Sequence, residues 1–158
     1  MRSFSEIRES PNYQRLKNSI EFKAEWRSTW IVVIFSQILI LLMFTVGSLH
    51  SAGTARAVIG AIIMIPCLLY QLYRLVRIFF HMESYTYTEA VLDRPKQGYK
   101  GSMYFTVRIR DRSGREFDAD THSIFSRSEP CFEDYVNQKV LIGYNNVTEL
   151  VVVIQKLP

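Results

Sequence analysis

From Ser28 to Ala55 the chain carries no formally charged residue, and within that stretch TWIVVIFSQILILLMFTVGSL (29–49) is almost wholly apolar. A helix rises 1.5 Å per residue, so about 20 such residues cover the roughly 30 Å hydrocarbon core of a bilayer. A second run, AVIGAIIMIPCLLYQLY (57–73), follows the small polar link HSAGTAR (50–56). Its helix is expected to continue to about Phe80, because Arg74 and Arg77 can extend their guanidinium groups to a membrane surface. The alternative is two buried helices of a soluble protein. A chain of 158 residues offers little core for two such uncharged segments to fill. The pattern predicts a transmembrane helical hairpin with spans at about 29–49 and 57–80.

The placement of charge sets the expected orientation. Residues 1–27 hold six Lys/Arg against four Asp/Glu, whereas residues 83–158 hold ten against eleven. The basic excess of the chain, +4 overall, therefore flanks the apolar runs and leaves the C-terminal part almost neutral. Flanking Arg and Lys suit anionic headgroups, while a nucleic-acid surface needs its positive charge clustered on the folded domain. Arg56 alone marks the link between the runs; Arg15, Lys17, Lys23, Arg27, Arg74 and Arg77 lie outside them. Basic residues are retained on the cytoplasmic side, so the protein is expected in the plasma membrane as a multi-pass protein with both termini cytoplasmic. Trp26 and Trp30, with Arg27, Arg74 and Arg77, are the expected membrane-interface residues. The first 28 residues are charged and lack an apolar core with a small-residue cleavage site, so the first run should stay as an anchor.

Within the spans, Ser36, Gln37 and Gln71 are the polar side chains, read as satisfied amides and hydroxyl rather than as a conduction path. Ala57, Gly60 and Ala61 offer a small-residue face for helix packing. Pro66 cannot donate to the Ile62 carbonyl and should bend the second helix. Before the first span, Ser10-Pro11 resembles an N-cap followed by a first-turn proline, and Tyr13, Leu16 and Ile20 recur at helical spacing. Residues 11–27 are expected as a short amphipathic helix within a cytoplasmic segment, 1–28, either lying on the inner membrane surface or extending the first span.

After the hairpin (29–82) the pattern changes from helical to alternating. SYTYTEAVL (84–92) and SMYFTVRIR (102–110) are strand-like, and in the second Met103, Phe105, Val107 and Ile109 share one face. DRSG (111–114) supplies a turn with glycine for a left-handed position, and REFDADT (115–121) returns. Matching the apolar faces pairs Ile109 with Phe117 and Val107 with Ala119, which sets Arg110 opposite Glu116 and Arg108 opposite Asp118. Ile124, Phe125, Phe132 and Tyr135 should fold the link 122–137 over the sheet. KVLIGY (139–144), a turn at Asn145-Asn146 and LVVVIQ (150–155) form a second hairpin. Its last strand is apolar on both faces and should be covered. The fold class expected is an α+β membrane protein: the hairpin, then a cytoplasmic β-domain (83–158) forming a small five-stranded sheet or barrel of OB or SH3-like type.

The order of two apolar helices, YTEAVL, YFTVRIRD-x-x-G-x-x-F and KVLIGYNN…LVVVI resembles small bacterial membrane proteins that carry a short β-domain of uncharacterised function. More distantly it resembles membrane-anchored OB-domain proteins of the NfeD type, whose barrels are richer in glycine. The resemblance covers about residues 30–156 and implies an architecture without a catalytic residue.

The best candidate for chemistry is DADTH, where Asp118, Asp120 and His122 alternate along a strand and could hold a divalent ion. A fourth ligand is not evident, and a solvated face paired with Arg108 and Arg110 is the favoured reading. Cys131 and His122 lack an oxyanion motif, and Cys67 with Cys131 suggests neither disulfide nor zinc site. SRSEP (126–130) and the sequon NVT (146–148) match modification patterns that arise by chance, and no phosphate loop or HExxH is present. No cofactor is expected. The reading is a non-enzymatic membrane protein whose β-domain docks a protein partner, as an accessory subunit or an immunity-type protein. The alternatives are a homo-oligomeric pore lined by Gln37 or Gln71, and a membrane-surface enzyme using the Asp118/Asp120/His122 face.

Overall fold

The computed structural model describes residues 4–47, 53–110, 113–125 and 132–158. After α1 (Phe4–Glu9), Ser10 opens α2 (Pro11–Asn18). Its hydroxyl accepts from the Tyr13 N–H at 3.3 Å, and Pro11 fills a first helical position that needs no donor. Ser19 ends α2 and starts α3 (Ile20–Gly47). Its hydroxyl donates to the Leu16 carbonyl (2.7 Å) and accepts from the Phe22 N–H (3.2 Å), so one side chain serves both helix ends. The helix expected over 11–27 is therefore two helices, and the second extends the first apolar run. Leu16, Ile20 and Ala24 are buried against the strands that follow.

α3 and α4 (Gly53–Arg77) pack along each other, and both are long and apolar enough to cross a membrane. α4 is one helix across Pro66. Gly60 is buried, whereas the side chains of Ala57 and Ala61 lie outside the described residues. Ser36 is buried and donates to the Val32 carbonyl at 2.6 Å, while Gln37 is exposed. Along the body of the pair, large apolar side chains such as Ile31, Phe35, Leu41, Ile62 and Leu69 point outward.

Among the described residues eight short strands form three antiparallel sheets, where five in one sheet or barrel were expected. The order β1 (Tyr85–Val91), β7 (Lys139–Asn145), β8 (Val151–Lys156) makes the largest. β2 (Lys96–Gln97), β3 (Ser102–Tyr104) and β6 (Ile124–Phe125) make a second, and β4 (Thr106–Arg110) with β5 (Glu116–Asp120) a third. One extra strand arises because 102–110 is interrupted at Phe105, whose N–H turns to the Thr121 hydroxyl (2.9 Å), and the other two are the two-residue strands β2 and β6. The β4–β5 register pairs Val107 with Ala119, Arg108 with Asp118, Ile109 with Phe117 and Arg110 with Glu116, as face matching requires. Gly114 takes the left-handed conformation in that turn (φ 85°).

β8 divides the core. Val151 and Val153 join Phe105, Phe132, Ile142 and Ile109 on one side; Val152 and Ile154 meet Leu16, Ile78 and Tyr85 on the other. A strand buried on both faces must be apolar throughout, which accounts for the run LVVVI. Residues from the N-terminal helices, from the ends of α3 and α4 and from the strands thus share one packed region.

Candidate functional site

The change of grammar near His81 becomes a joint in space. Past α4, Ile78 packs into the core and His81 adopts a left-handed backbone (φ 52°) that turns the chain into β1. The Asn145-Asn146 turn docks there. Asn145 Nδ2 donates to the Phe80 carbonyl (2.8 Å), and Asn146 Nδ2 donates to the Ser84 carbonyl (2.9 Å). From the other side Asn12 donates to the Met82 carbonyl and accepts from the Tyr87 hydroxyl, with Arg15 over the Tyr87 ring.

Two glutamates one helical turn apart on α3 enter the β region. Glu21 is fully buried, and both carboxylate oxygens accept from the Val153 N–H, at 3.0 and 2.9 Å. β8 is the edge of its sheet, so this carboxyl supplies the acceptor that a further strand would have given. One face of the first turns of α3, carrying Ile20, Glu21, Ala24 and Glu25, is enclosed by protein, and Glu21 lies well before the uncharged stretch that begins at Ser28. Burial pushes its carboxyl well above the ordinary range, against the opposing pull of backbone hydrogen bonds from its own N–H and from Val153.

Glu25 meets two cationic or basic groups. Its Oε1 lies 2.5 Å from the Arg74 guanidinium and 3.2 Å from His122 Nε2. Arg74 also donates to the Ser123 carbonyl at 2.7 Å, and its guanidinium lies 3.3 Å from His122 Nε2. Glu25 and His122 side chains are 4% and 8% exposed, Arg74 15%. When Nε2 carries a proton it donates to Glu25; when it is bare it accepts from Arg74. The cluster therefore ties α3, α4 and the segment after β5 together with either tautomer of His122. Breaking a buried pair of this kind leaves an uncompensated charge.

His122 turns inward, and the three residues of the DADTH pattern separate. Asp118 pairs with Arg108 at 3.3 Å on an exposed face, and Asp120 accepts from the Thr106 hydroxyl at 2.7 Å. Among the described residues no group of three or more His, Cys, Asp or Glu side chains is arranged to hold a metal ion. Cys131 and SRSEP (126–130) lie outside the described residues, and Cys67 is exposed on α4. Trp26 stacks on Phe22 and meets Trp30 edge-on, both indoles about half exposed. Arg27 is exposed beside them.

The joint borders an open cleft of about 700 Å³. Arg77, Tyr70 and Tyr73 line it from α4, and Tyr104, Asp120 and Glu149 from the strands and the β7–β8 turn. A second cavity of about 550 Å³ shares Asp120 and Glu149. Glu149 holds a left-handed backbone (φ 53°), a conformation that costs a non-glycine residue about 1 kcal/mol or more.

Sequence reasoning placed Arg74 and Arg77 at an interface but missed Glu21, Glu25 and the inward role of His122. The available signal was the stripe Ile20, Glu21, Ala24, Glu25, which puts two acids on the same helix face as two core residues. Comparison of the chain with protein-family models, curated proteins and solved structures finds no match.

Proposed function

We propose that this chain is an integral membrane protein in which α3 and α4 cross the bilayer and carry a cytoplasmic β-domain that docks a protein partner. The role is non-enzymatic, as an accessory subunit or an immunity-type protein. The observation that carries the reading is the Glu25–Arg74–His122 joint, with Glu21 clamped to β8. Glu21, Glu25, His122 and Arg74, all largely enclosed, lock the helix pair to the strands, so the β-domain is presented at a fixed attitude to the membrane. Arg15, Lys17, Lys23, Arg27, Arg74 and Arg77 at that end of the hairpin favour the cytoplasmic side. Val91, Tyr99 and Val147 are exposed apolar side chains on the β-domain and offer contact area.

The test is site-specific photocrosslinking in native membranes, at native expression, from Val91, Tyr99 and Val147 in turn. A discrete heteromeric adduct from one position, absent from the others, is expected. Monomer alone at all three positions contradicts the reading.

A second reading, self-association, is favoured by Gln37. Its amide sits amid exposed Ile34, Phe35, Ile38 and Leu41 on α3, where lipid supplies no hydrogen bond. A Gln37→Leu change that leaves the oligomeric state in mild detergent unaltered excludes a contact through that amide.

A further inference from the structure

We infer that the cleft between the C-terminal turns of α4 and the β-domain binds the headgroup of a zwitterionic, primary-amine phospholipid, with phosphate toward Arg77 and ammonium toward Asp120 and Glu149. The inference rests on the membrane reading above and adds a ligand to it.

Arg77 closes the apolar segment Val58–Arg77, so its guanidinium stands where a bilayer's phosphate layer would meet that helix. It is half-buried in the cleft wall and has neither hydrogen bond nor ion pair among the described residues. Neighbouring Arg74 is already engaged by Glu25 and the Ser123 carbonyl. A partly enclosed guanidinium with free donors is matched by a phosphate, which accepts its planar fork.

The opposite wall has the opposite sign. Asp120 uses Oδ1 to accept from Thr106, and neither its Oδ2 nor the Glu149 carboxylate has a partner among the described residues. Arg115 borders the same two carboxylates from the second cavity, and within the cleft Arg77 is the arginine without an ion pair among the described residues, so a purely anionic ligand is disfavoured while an ammonium group with three donors satisfies the carboxylates. The left-handed backbone at Glu149 is strain in a turn that lines the cleft, as expected where a side chain is aimed for binding. Tyr70, Tyr73 and Tyr104 lie between the two charged ends, with apolar rings suited to the glyceryl region. The cleft volume of about 700 Å³ falls within the range of about 300–1,000 Å³ usual for small-molecule sites.

The full-length chain is purified in detergent and offered equimolar phosphatidylethanolamine, phosphatidylcholine and phosphatidylglycerol. Retained lipid is counted by native mass spectrometry, with inorganic phosphate as a competitor. One phosphatidylethanolamine per chain is expected in preference to the other two. Arg77→Gln should weaken its retention at least about tenfold, as loss of a charge-assisted contact implies. Glu149→Gln should narrow the preference over phosphatidylglycerol, and circular dichroism of both variants should match wild type. Equal retention of all three lipids, preference for phosphatidylglycerol, or equal binding of phosphatidylcholine overturns the inference. So does displacement by phosphate at concentrations equal to the lipid, which marks a free-phosphate site. In each of those cases the membrane reading stands. A chain that stays in solution without detergent sinks both.

Discussion

The two ends of α3 are the same helix in two surroundings. From Ile20 to Glu25 apolar and charged side chains alternate, and on the face toward the strands Ile20, Glu21, Ala24 and Glu25 are all buried. From Ile31 to Leu42 the helix is more apolar, yet Ile31, Ile34, Phe35, Ile38, Leu41 and Leu42 are exposed. Hydrophobicity and burial run in opposite directions along one continuous element. In water that is unfavourable, because each large apolar side chain left exposed forgoes about 1.5–3 kcal/mol. It becomes sensible if the outer part meets lipid and only the inner part belongs to a water-soluble core. The difference teaches that specificity resides in the joint: polar contacts with defined partners are concentrated there, while the outer helix pair offers a largely apolar surface.

Substitutions can break that contrast. Glu25→Ala should give the largest effect, a loss of about 3–5 kcal/mol, because it leaves the Arg74 charge enclosed without its counter-ion. Thermal unfolding in detergent measures it, and a change below about 1 kcal/mol would show that the pair is not held as described. Next, Leu16→Ala removes a fully buried side chain and should cost about 2–5 kcal/mol. Leu41→Ala, at an exposed position on the outer part of the same hairpin, should change stability by far less. Equal losses at the two positions would abolish the distinction between the helix ends.

Glu21 sharpens the comparison through pH. Its folded carboxyl is raised above the unfolded value, so the folded state binds the proton more tightly. The stability it contributes is complete below the ordinary glutamate range and is lost as pH rises from there through the raised value. Glu21→Gln, which keeps an acceptor for Val153, should flatten that decline. An unchanged pH profile in the variant would mean that another group causes the slope. The smallest effect belongs to Asp118→Ala. Its pair with Arg108 is more than half exposed on both sides, so after solvent screening the change should be about 0.5 kcal/mol or less. A larger loss would assign the DADTH face more than a solvated strand pair.

Local patterns in the sequence were enough to read much of this. Alternation and charge pairing set the β4–β5 register residue by residue, and the doubly apolar LVVVI announced a covered strand. Ser10-Pro11 marked a helix start, and two helices of sufficient length and apolarity follow from the uncharged runs. What stayed hidden depends on contacts distant along the chain. Glu21 reaches a strand 132 residues away and Glu25 a histidine 97 residues away, and no periodicity records either. The break at Ser19 was obscured because a serine within a helical pattern is ordinary until its hydroxyl caps both neighbours. The two-residue strands at Lys96–Gln97 and Ile124–Phe125 are too short to carry any alternation. The cleft beside the joint was equally illegible. Arg77 could be placed at an interface, but nothing local said that Asp120 and Glu149 would face it.

One labelling experiment reaches the central claim most directly. Val147 is exposed in the β7–β8 turn, next to the Asn145 and Asn146 side chains that dock on Phe80 and Ser84 just past α4. With Cys67 and Cys131 replaced by serine, Val147→Cys should resist a membrane-impermeant maleimide in intact cells and react fully once the membrane is opened. Reaction in intact cells would place the β-domain outside, and recovery of the labelled chain in the soluble fraction would remove the membrane altogether.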